Sequence, residues 1–275
     1  MTATILDQIF AHKRTEVERQ KLKIPQAKLE QQLGNAPKPR SLRQALRQPD
    51  RISLIAEVKK ASPSKGVFLE NFNPTELAET YASNGAAAIS VLTDVRFFQG
   101  SLIYLRSIHE HLDRLGYATP LLRKDFLYDP YQIYEARVSG ADAILLIVGM
   151  LDDQTLHELY QLTYGLGMEA LVEVHTEAEM ARAQALQAQI IGINNRDLHS
   201  FRVDIATTQR VSASLPAIGD PQRPVLVAES GIHGPDVLPT LREWGVDAIL
   251  VGESIVLAPD HAAHVRALSQ NGHRT

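Results

Sequence analysis

The 275-residue sequence predicts an α/β fold, a (β/α)8 TIM-type barrel preceded by an N-terminal helical extension. Three observations predict it. Short runs rich in Ile, Val and Leu recur eight times from Arg51 onward. Helix-like stretches separate them, so strand and helix alternate, as in parallel sheets covered on both faces. One wording also recurs at three helix–strand junctions: Asn84-Gly85-Ala86-Ala87-Ala88-Ile89, Ser139-Gly140-Ala141-Asp142-Ala143-Ile144 and Trp244-Gly245-Val246-Asp247-Ala248-Ile249.

The first fifty residues read differently from the rest. Ile5, Ile9 and Val17 lie near one helical face with charged residues between them, an amphipathic pattern. Pro25 breaks that helix, and Pro37 with Pro39 breaks a second, shorter one. Ser41 is placed to cap a third, running towards Gln48 before Pro49 stops it. Residues 1–50 are therefore expected to form an extension lying on a barrel of residues 51–275, the whole being one structural domain.

The expected strands are Ile52–Val58, Ala87–Leu92, Pro120–Leu122, Ala143–Val148, Ala170–Val174, Ile190–Ile193, Val225–Ala228 and Ala248–Val251. The expected helices are Pro74–Asn84, Leu102–Leu115, Tyr131–Val138, Gln154–Leu166, Glu177–Gln187, Ile205–Val211, Val237–Trp244 and Ala262–Leu268. In the repeated wording a glycine ends each helix, where a left-handed residue closes the last turn. Eight such units favour a closed barrel over an open sheet. The first strand is not followed by G-x-G-x-x-G, and no Walker A lysine motif occurs, so two common open-sheet nucleotide folds lose support.

Composition narrows the function. The net charge of -4 and the absence of a basic stripe argue against a nucleic-acid binder. With no cysteine there is no thiolate metal site and no cysteine nucleophile. No secretory h-region and no membrane-length apolar run is present, and a cytoplasmic address is expected.

In a (β/α)8 barrel the active site lies at the C-terminal ends of the strands. The first strand runs out through Glu57, Val58 and Lys59, so the acid and the amine share one face. A solvated strand-end salt bridge would read the same. The third ends at Lys124, which could serve as an acid if desolvation near other cations lowers its pKa. In the fifth, Glu173 stands between two valines, a costly place for a carboxylate without a partner or a role. His175, two residues on, could be a general base, but reads most simply as a loop or capping histidine. The sixth ends in Asn194-Asn195-Arg196-Asp197, suited either to binding carboxylate, hydroxyl or phosphate or to forming a turn. The seventh ends Glu229-Ser230-Gly231 and the eighth Gly252-Glu253-Ser254. Barrels often bind phosphate with these last two loops. Jointly the strand ends point to acid–base chemistry on a phosphorylated small molecule, with no metal-ligand cluster.

The segments Ile55–Gly66, Ser90–Asp94, Phe97–Ser101, Leu122–Phe126, Leu171–His175, Gly192–Leu198, Ala228–Ile232 and Val251–Ser254 resemble, in order and spacing, the motifs of indole-3-glycerol-phosphate synthases. The resemblance implies conversion of 1-(2-carboxyphenylamino)-1-deoxyribulose 5-phosphate to indole-3-glycerol phosphate, carbon dioxide and water, a step of tryptophan biosynthesis needing no cofactor. It implies Lys124 as proton donor to the ketone. Glu173, Lys59 and Glu57 are implied for the dehydration, with Glu173 first in line as its acid. Asn194 and Glu229 would hold substrate hydroxyls and neighbouring charges. Ser62 and Arg196 would meet polar groups, and Phe98, Phe126 and Leu198 would enclose the ring. Ser230, Gly231, Gly252 and Glu253 would give backbone N–H groups to phosphate. Lys60 stands where arginine is common, and Glu253 where some members have serine.

The resemblance is to the single-function form, without a fused second barrel. The partners expected are the phosphorylated substrate, with no nucleic acid and no membrane. The expected state is a monomer, weak self-association being allowed. The loop from Ser62 to Phe72 is expected to move. Competing readings are a sister phosphate-binding barrel, such as phosphoribosylanthranilate isomerase or the tryptophan synthase α subunit, and an inactive barrel used as a scaffold. The isomerase leans on a cysteine that this chain lacks, and a scaffold would have lost its strand-end charges.

Overall fold

The computed structural model describes residues 5–63, 65–197, 200 and 202–270. Eight parallel strands close into a barrel. They are β1 (Ser53–Val58), β2 (Ala88–Leu92), β3 (Leu121–Lys124), β4 (Ala143–Ile147), β5 (Glu169–Val174), β6 (Ile190–Asn194), β7 (Val225–Glu229) and β8 (Ala248–Val251). Each pairs with the next in sequence, and β8 closes on β1 with Ala248 opposite Ser53. Helices connect successive strands, and Gly85, Gly140 and Gly245 all take positive φ at the junctions where the sequence repeats.

Side chains alternate across each strand and build two apolar layers. Ile55, Leu122, Leu145, Leu171, Val227 and Leu250 meet inside the barrel. Leu54, Val91, Leu146, Val172, Leu226 and Ile249 face the surrounding helices. Burying each such side chain contributes about 1.5–3 kcal/mol relative to exposure.

The extension folds as α1 (Ile5–Lys23), α2 (Gln26–Gln32) and α3 (Leu42–Leu46). Ser41 caps α3, its side chain accepting from the Gln44 backbone N–H at 3.1 Å. Leu42 and Leu46 join the cluster inside the barrel, and the Leu46 carbonyl accepts from Ser53 Oγ at the first residue of β1. Thus α3 covers the N-terminal end of the barrel. By contrast α1 reaches the other end. Lys13, 1% exposed, places its ammonium 2.9 Å from Asp125 and 3.0 Å from Asp94, just beyond β3 and β2.

Strand β3 runs two residues past the expected Leu122. Arg123 and Lys124 end the apolar run in the sequence, but both are neutralised in place. Arg123 is buried on the outer face and donates to Glu135 at 2.9 Å and Asp125 at 3.2 Å, so the strand continues through it. Helix α3 stops at Leu46, short of the expected Gln48.

Candidate active site

The alternation that fills the barrel interior also aims the polar strand ends. Ile55, Glu57 and Lys59 share one parity, as do Leu122 with Lys124, Leu171 with Glu173, Ile190 with Asn194, and Val227 with Glu229. The apolar member of each set lies in the interior cluster, and the polar member stands above it at the C-terminal mouth. There they line a cavity of about 380 Å³.

Lys124 is the hub. Its Nζ lies 3.4 Å from Glu173 Oε2 and 3.6 Å from Glu229 Oε2. Asn194 Nδ2 donates to Glu173 Oε1 at 3.3 Å. Across the mouth Lys59 Nζ sits 3.4 Å from Glu57 Oε1 and 5.9 Å from the centre of the Phe98 ring. Phe98 and Phe126 face each other with centroids 6.1 Å apart and an interplanar angle of 37°, forming an apolar wall beside the charges.

Another side of the cavity is built from backbone turns. Ser230 and Gly231 are both left-handed, with φ of 66° and 78°. Serine tolerates that region poorly, so something must hold the turn. Asn195 does so, donating from Nδ2 to the Ser230 carbonyl at 3.2 Å while its own Oδ1 accepts from Thr208 Oγ1 at 2.8 Å. Gly252 and Glu253 border the same side, at the start of the short helix Glu253–Val256. The Glu253 carboxylate turns to Lys65, 2.6 Å away. Ser62 and Arg196 also line the cavity, and the Arg196 backbone N–H donates to Asn194 Oδ1 at 3.0 Å. Leu198 lies outside the described residues.

The charges around the site bear on two expectations. Lys124 was read as an acid made stronger by neighbouring cations, but its neighbours are carboxylates. Burial opposes its charge, yet Glu173, Glu229 and Glu57 outweigh it and raise its pKa. Glu173 was read as the dehydration acid. Burial opposes its ionisation, but Lys124, His175 and Asn194 outweigh that and hold its carboxyl well below the ordinary range. A carboxylate kept ionised has no proton to give. Glu229 is shifted the other way, pushed up to about 8 by burial and by the neighbouring Glu173.

Several residues at the site have roles that the sequence did not show. Lys13 and Asp125 brace the end of β3. Gly192 leaves room for Glu229, and a glycine inside a strand is itself a sign of close approach. His175 sits between Glu173 and Glu179. Asn195 holds the Ser230 turn rather than entering the cavity. The partners of His175 are local, at Glu173 and Glu179, but the same spacing also fits a capping histidine, and the amide of Asn195 shares its signal with turn chemistry.

The whole chain was compared with known proteins. The family model for indole-3-glycerol phosphate synthase matches residues 6–268. The chain is 58% identical over 266 residues to the indole-3-glycerol phosphate synthase of Roseiflexus sp. (strain RS-1), covering 96% of this chain and 98% of the relative. It is 59% identical over 267 residues to that of Roseiflexus castenholzii, covering 96% of this chain and 98% of that one. Among solved structures it resembles a 3-hexulose-6-phosphate synthase with a TM-score of 0.60 at 14% identity, over 80% of this chain and 99% of that chain. It also resembles a thiamine phosphate pyrophosphorylase from Pyrococcus furiosus with a TM-score of 0.59 at 16% identity, over 84% and 96% of the two chains. At such identities these two carry the barrel fold alone. The near-complete match to the family model and to relatives above half identity goes further: the chain belongs to the indole-3-glycerol phosphate synthase family.

Proposed function

We propose that the cavity closes the indole ring of 1-(2-carboxyphenylamino)-1-deoxyribulose 5-phosphate through the paired lysines and carboxyls at its mouth. The family is one of carboxy-lyases of tryptophan biosynthesis. The observation that carries the residue assignment is the position of Lys124 between two buried carboxyls, 3.4 Å from Glu173 and 3.6 Å from Glu229.

Ring closure joins the aromatic carbon bearing the carboxylate to the ketone carbon. The carbonyl oxygen gathers negative charge and takes a proton from Lys124. An alkoxide is more basic than an amine, so a lysine whose pKa is raised still gives up its proton there. Loss of the carboxylate as carbon dioxide returns its bonding electrons to the ring and restores aromaticity. The hydroxyl just formed then leaves as water. Lys59 supplies the proton for that departure, and Glu57, 3.4 Å away, takes the proton lost from the adjacent carbon. Glu173, being ionised, orients Lys124. Glu229 donates a hydrogen bond to a substrate hydroxyl, with Asn194 beside it. Phe98 and Phe126 flank the aromatic ring, and Ser62 and Arg196 meet polar groups. The backbone N–H groups of Ser230, Gly231, Gly252 and Glu253 receive the phosphate.

The division into an extension of residues 1–50 and a barrel of 51–275 within one domain is supported by the burial of Lys13, Leu42 and Leu46 against the barrel. We place this chemistry in the cytoplasm. No helix among the described residues is long and apolar enough to cross a membrane.

The test is indole fluorescence on mixing the protein with the carboxyphenylamino-deoxyribulose phosphate, beside a Lys124→Ala control. Loss of about 10² or more in kcat for the variant supports the assignment. Equal turnover by both proteins moves the donor to another residue, and no product from folded wild type overturns the reading.

A further inference from the structure

Glu173 is approached from three sides. Lys124 approaches one oxygen, while Asn194 Nδ2 and His175 Nε2 approach the other at 3.3 and 3.4 Å. Lys124 and Asn194 belong to the cavity lining, but His175 stands behind Glu173, outside the cavity itself.

The imidazole is held from its far side. Glu179, in the first turn of the helix Glu177–Ala185, places Oε2 3.2 Å from His175 Nδ1 and 2.8 Å from the His175 backbone nitrogen. The Glu179 backbone N–H donates to Thr176 Oγ1 at 3.2 Å, capping the helix start, and its carboxylate packs close to Gly149. A carboxylate oxygen thus stands beside each ring nitrogen, within hydrogen-bond distance at Nδ1 and as an ion-pair contact at Nε2, which favours a hydrogen on both.

We propose that His175, backed by Glu179, is a positioning residue for ring closure, a cationic wedge that fixes the Glu173 carboxylate and through it aims Lys124 at the ketone oxygen. The proposal rests on the assignment of Lys124 as proton donor.

The charges facing the imidazole favour its cationic form. Glu173 lies on its own strand and Glu179 on the following helix. The turn Val148–Met150, packed against both β5 and that helix, brings no charged side chain. Beyond Glu173 stand Lys124 of β3 and Glu229 of β7. Burial opposes the imidazolium, but the two glutamates outweigh it and raise the pKa to about 10. The cation thus helps decide which of the two buried carboxyls keeps a proton. With His175 charged, Glu173 is the anion and Glu229 the acid. Without that charge Glu173 competes for the proton, and its hold on Lys124 loosens when it wins.

The experiment compares wild type with His175→Gln, His175→Leu and Glu179→Gln, reading kcat, KM and the pH dependence of kcat from indole fluorescence. His175→Gln keeps an N–H towards Glu173 but not the charge. Expected are a fall in kcat of about tenfold or more for Gln and a larger fall for Leu, with KM within about threefold of wild type. The acid limb of the kcat profile is expected to move up by about one pH unit or more in both His175 variants, and by less in Glu179→Gln. A fall in kcat without movement of the acid limb means a structural role only and overturns the proposal, as does unchanged kcat. An NMR titration of the free protein reads the imidazole directly. His175, identified by the signal missing from His175→Gln, stays protonated at about pH 8. A neutral His175 at about pH 7 overturns the proposal whether or not the protein turns over. A cationic His175 in a protein that makes no product leaves the wedge in place and removes the ring-closure assignment instead.

Discussion

Gly192 and Glu229 occupy neighbouring strands so closely that a Cβ on Gly192 would overlap Glu229 Oε1. The same Cβ would meet Leu171 Cδ1 at 3.2 Å, so the glutamate cannot be displaced without moving the barrel interior as well. Glu229 is 2% exposed and is one of the two carboxyls flanking Lys124. Gly192→Ala is therefore expected to push Glu229 away from Lys124, lowering kcat by about tenfold or more and costing about 1–3 kcal/mol through overpacking. Steady-state kinetics and urea unfolding check the two effects. An alanine variant with wild-type kcat and stability would show that the space can be recovered at no cost.

The barrel was legible because its signals are local and periodic. Ile55-Ala56-Glu57-Val58-Lys59 shows in sequence both the strand and the face that carries the charges, and the glycines at 85, 140 and 245 mark helix ends wherever the wording repeats. Protonation was not legible. Whether Glu173 or Glu229 holds the proton depends on the charges around each; His175 is near Glu173 in the sequence, but Lys124, Asn194 and the two glutamates meet only when the barrel closes. Lys13 was hidden for a related reason. In α1 it looks like one of several solvated charges between apolar positions, and only closure of the barrel brings Asp94 and Asp125 beneath it.

That buried lysine ties the extension to the catalytic mouth. Asp125, next to Lys124 in the chain, also accepts from Thr93 Oγ1 at 2.6 Å and from Arg123 at 3.2 Å. Lys13→Met fills similar space but leaves Asp94 and Asp125 short of a cation, and breaking a buried pair in this way costs about 3–5 kcal/mol. The expected result is a clear drop in the urea midpoint, together with reduced kcat because the end of β3 loses its brace. A variant as stable as wild type would mean that water or Arg123 replaces the ammonium.

Two buried carboxyls give stability opposite slopes with pH. Asp125 is opposed in its ionisation by burial but held down to about 2 by Lys13 and Arg123, against an ordinary 3.8. Its contribution is complete above the unfolded value and is lost as pH falls from 3.8 towards 2. Glu229 is raised from 4.5 to about 8, so between those values the folded chain binds a proton that the unfolded chain has released. That part of the stability is lost as pH rises through the window. Urea midpoints are expected to decline from about pH 5 to pH 8 in wild type and to decline less in Glu229→Gln. Parallel curves for the two proteins would show that Glu229 is ionised throughout.

Lys65 and Glu253 link the loop after β1 to the turn that starts the short helix Glu253–Val256, with 2.6 Å between Nζ and Oε1. Ala61–Ser62 pairs antiparallel with Gly66–Val67, so Lys65 sits at the tip of a small hairpin beside the cavity. Lys65 is half exposed, and such pairs contribute about 0–1 kcal/mol to global stability. Glu253→Gln should accordingly leave Tm nearly unchanged. It should nevertheless free the segment from Ser62 to Phe72, seen as faster cleavage there by a lysine-directed protease under native conditions. Indole-3-glycerol phosphate in the cavity is expected to slow cleavage in both proteins, because a phosphate bound near Gly252 gives Lys65 a second anion to hold. Equal cleavage with and without that ligand would count against any movement of this loop, and equal cleavage of wild type and variant would show that the Lys65–Glu253 contact does not restrain it.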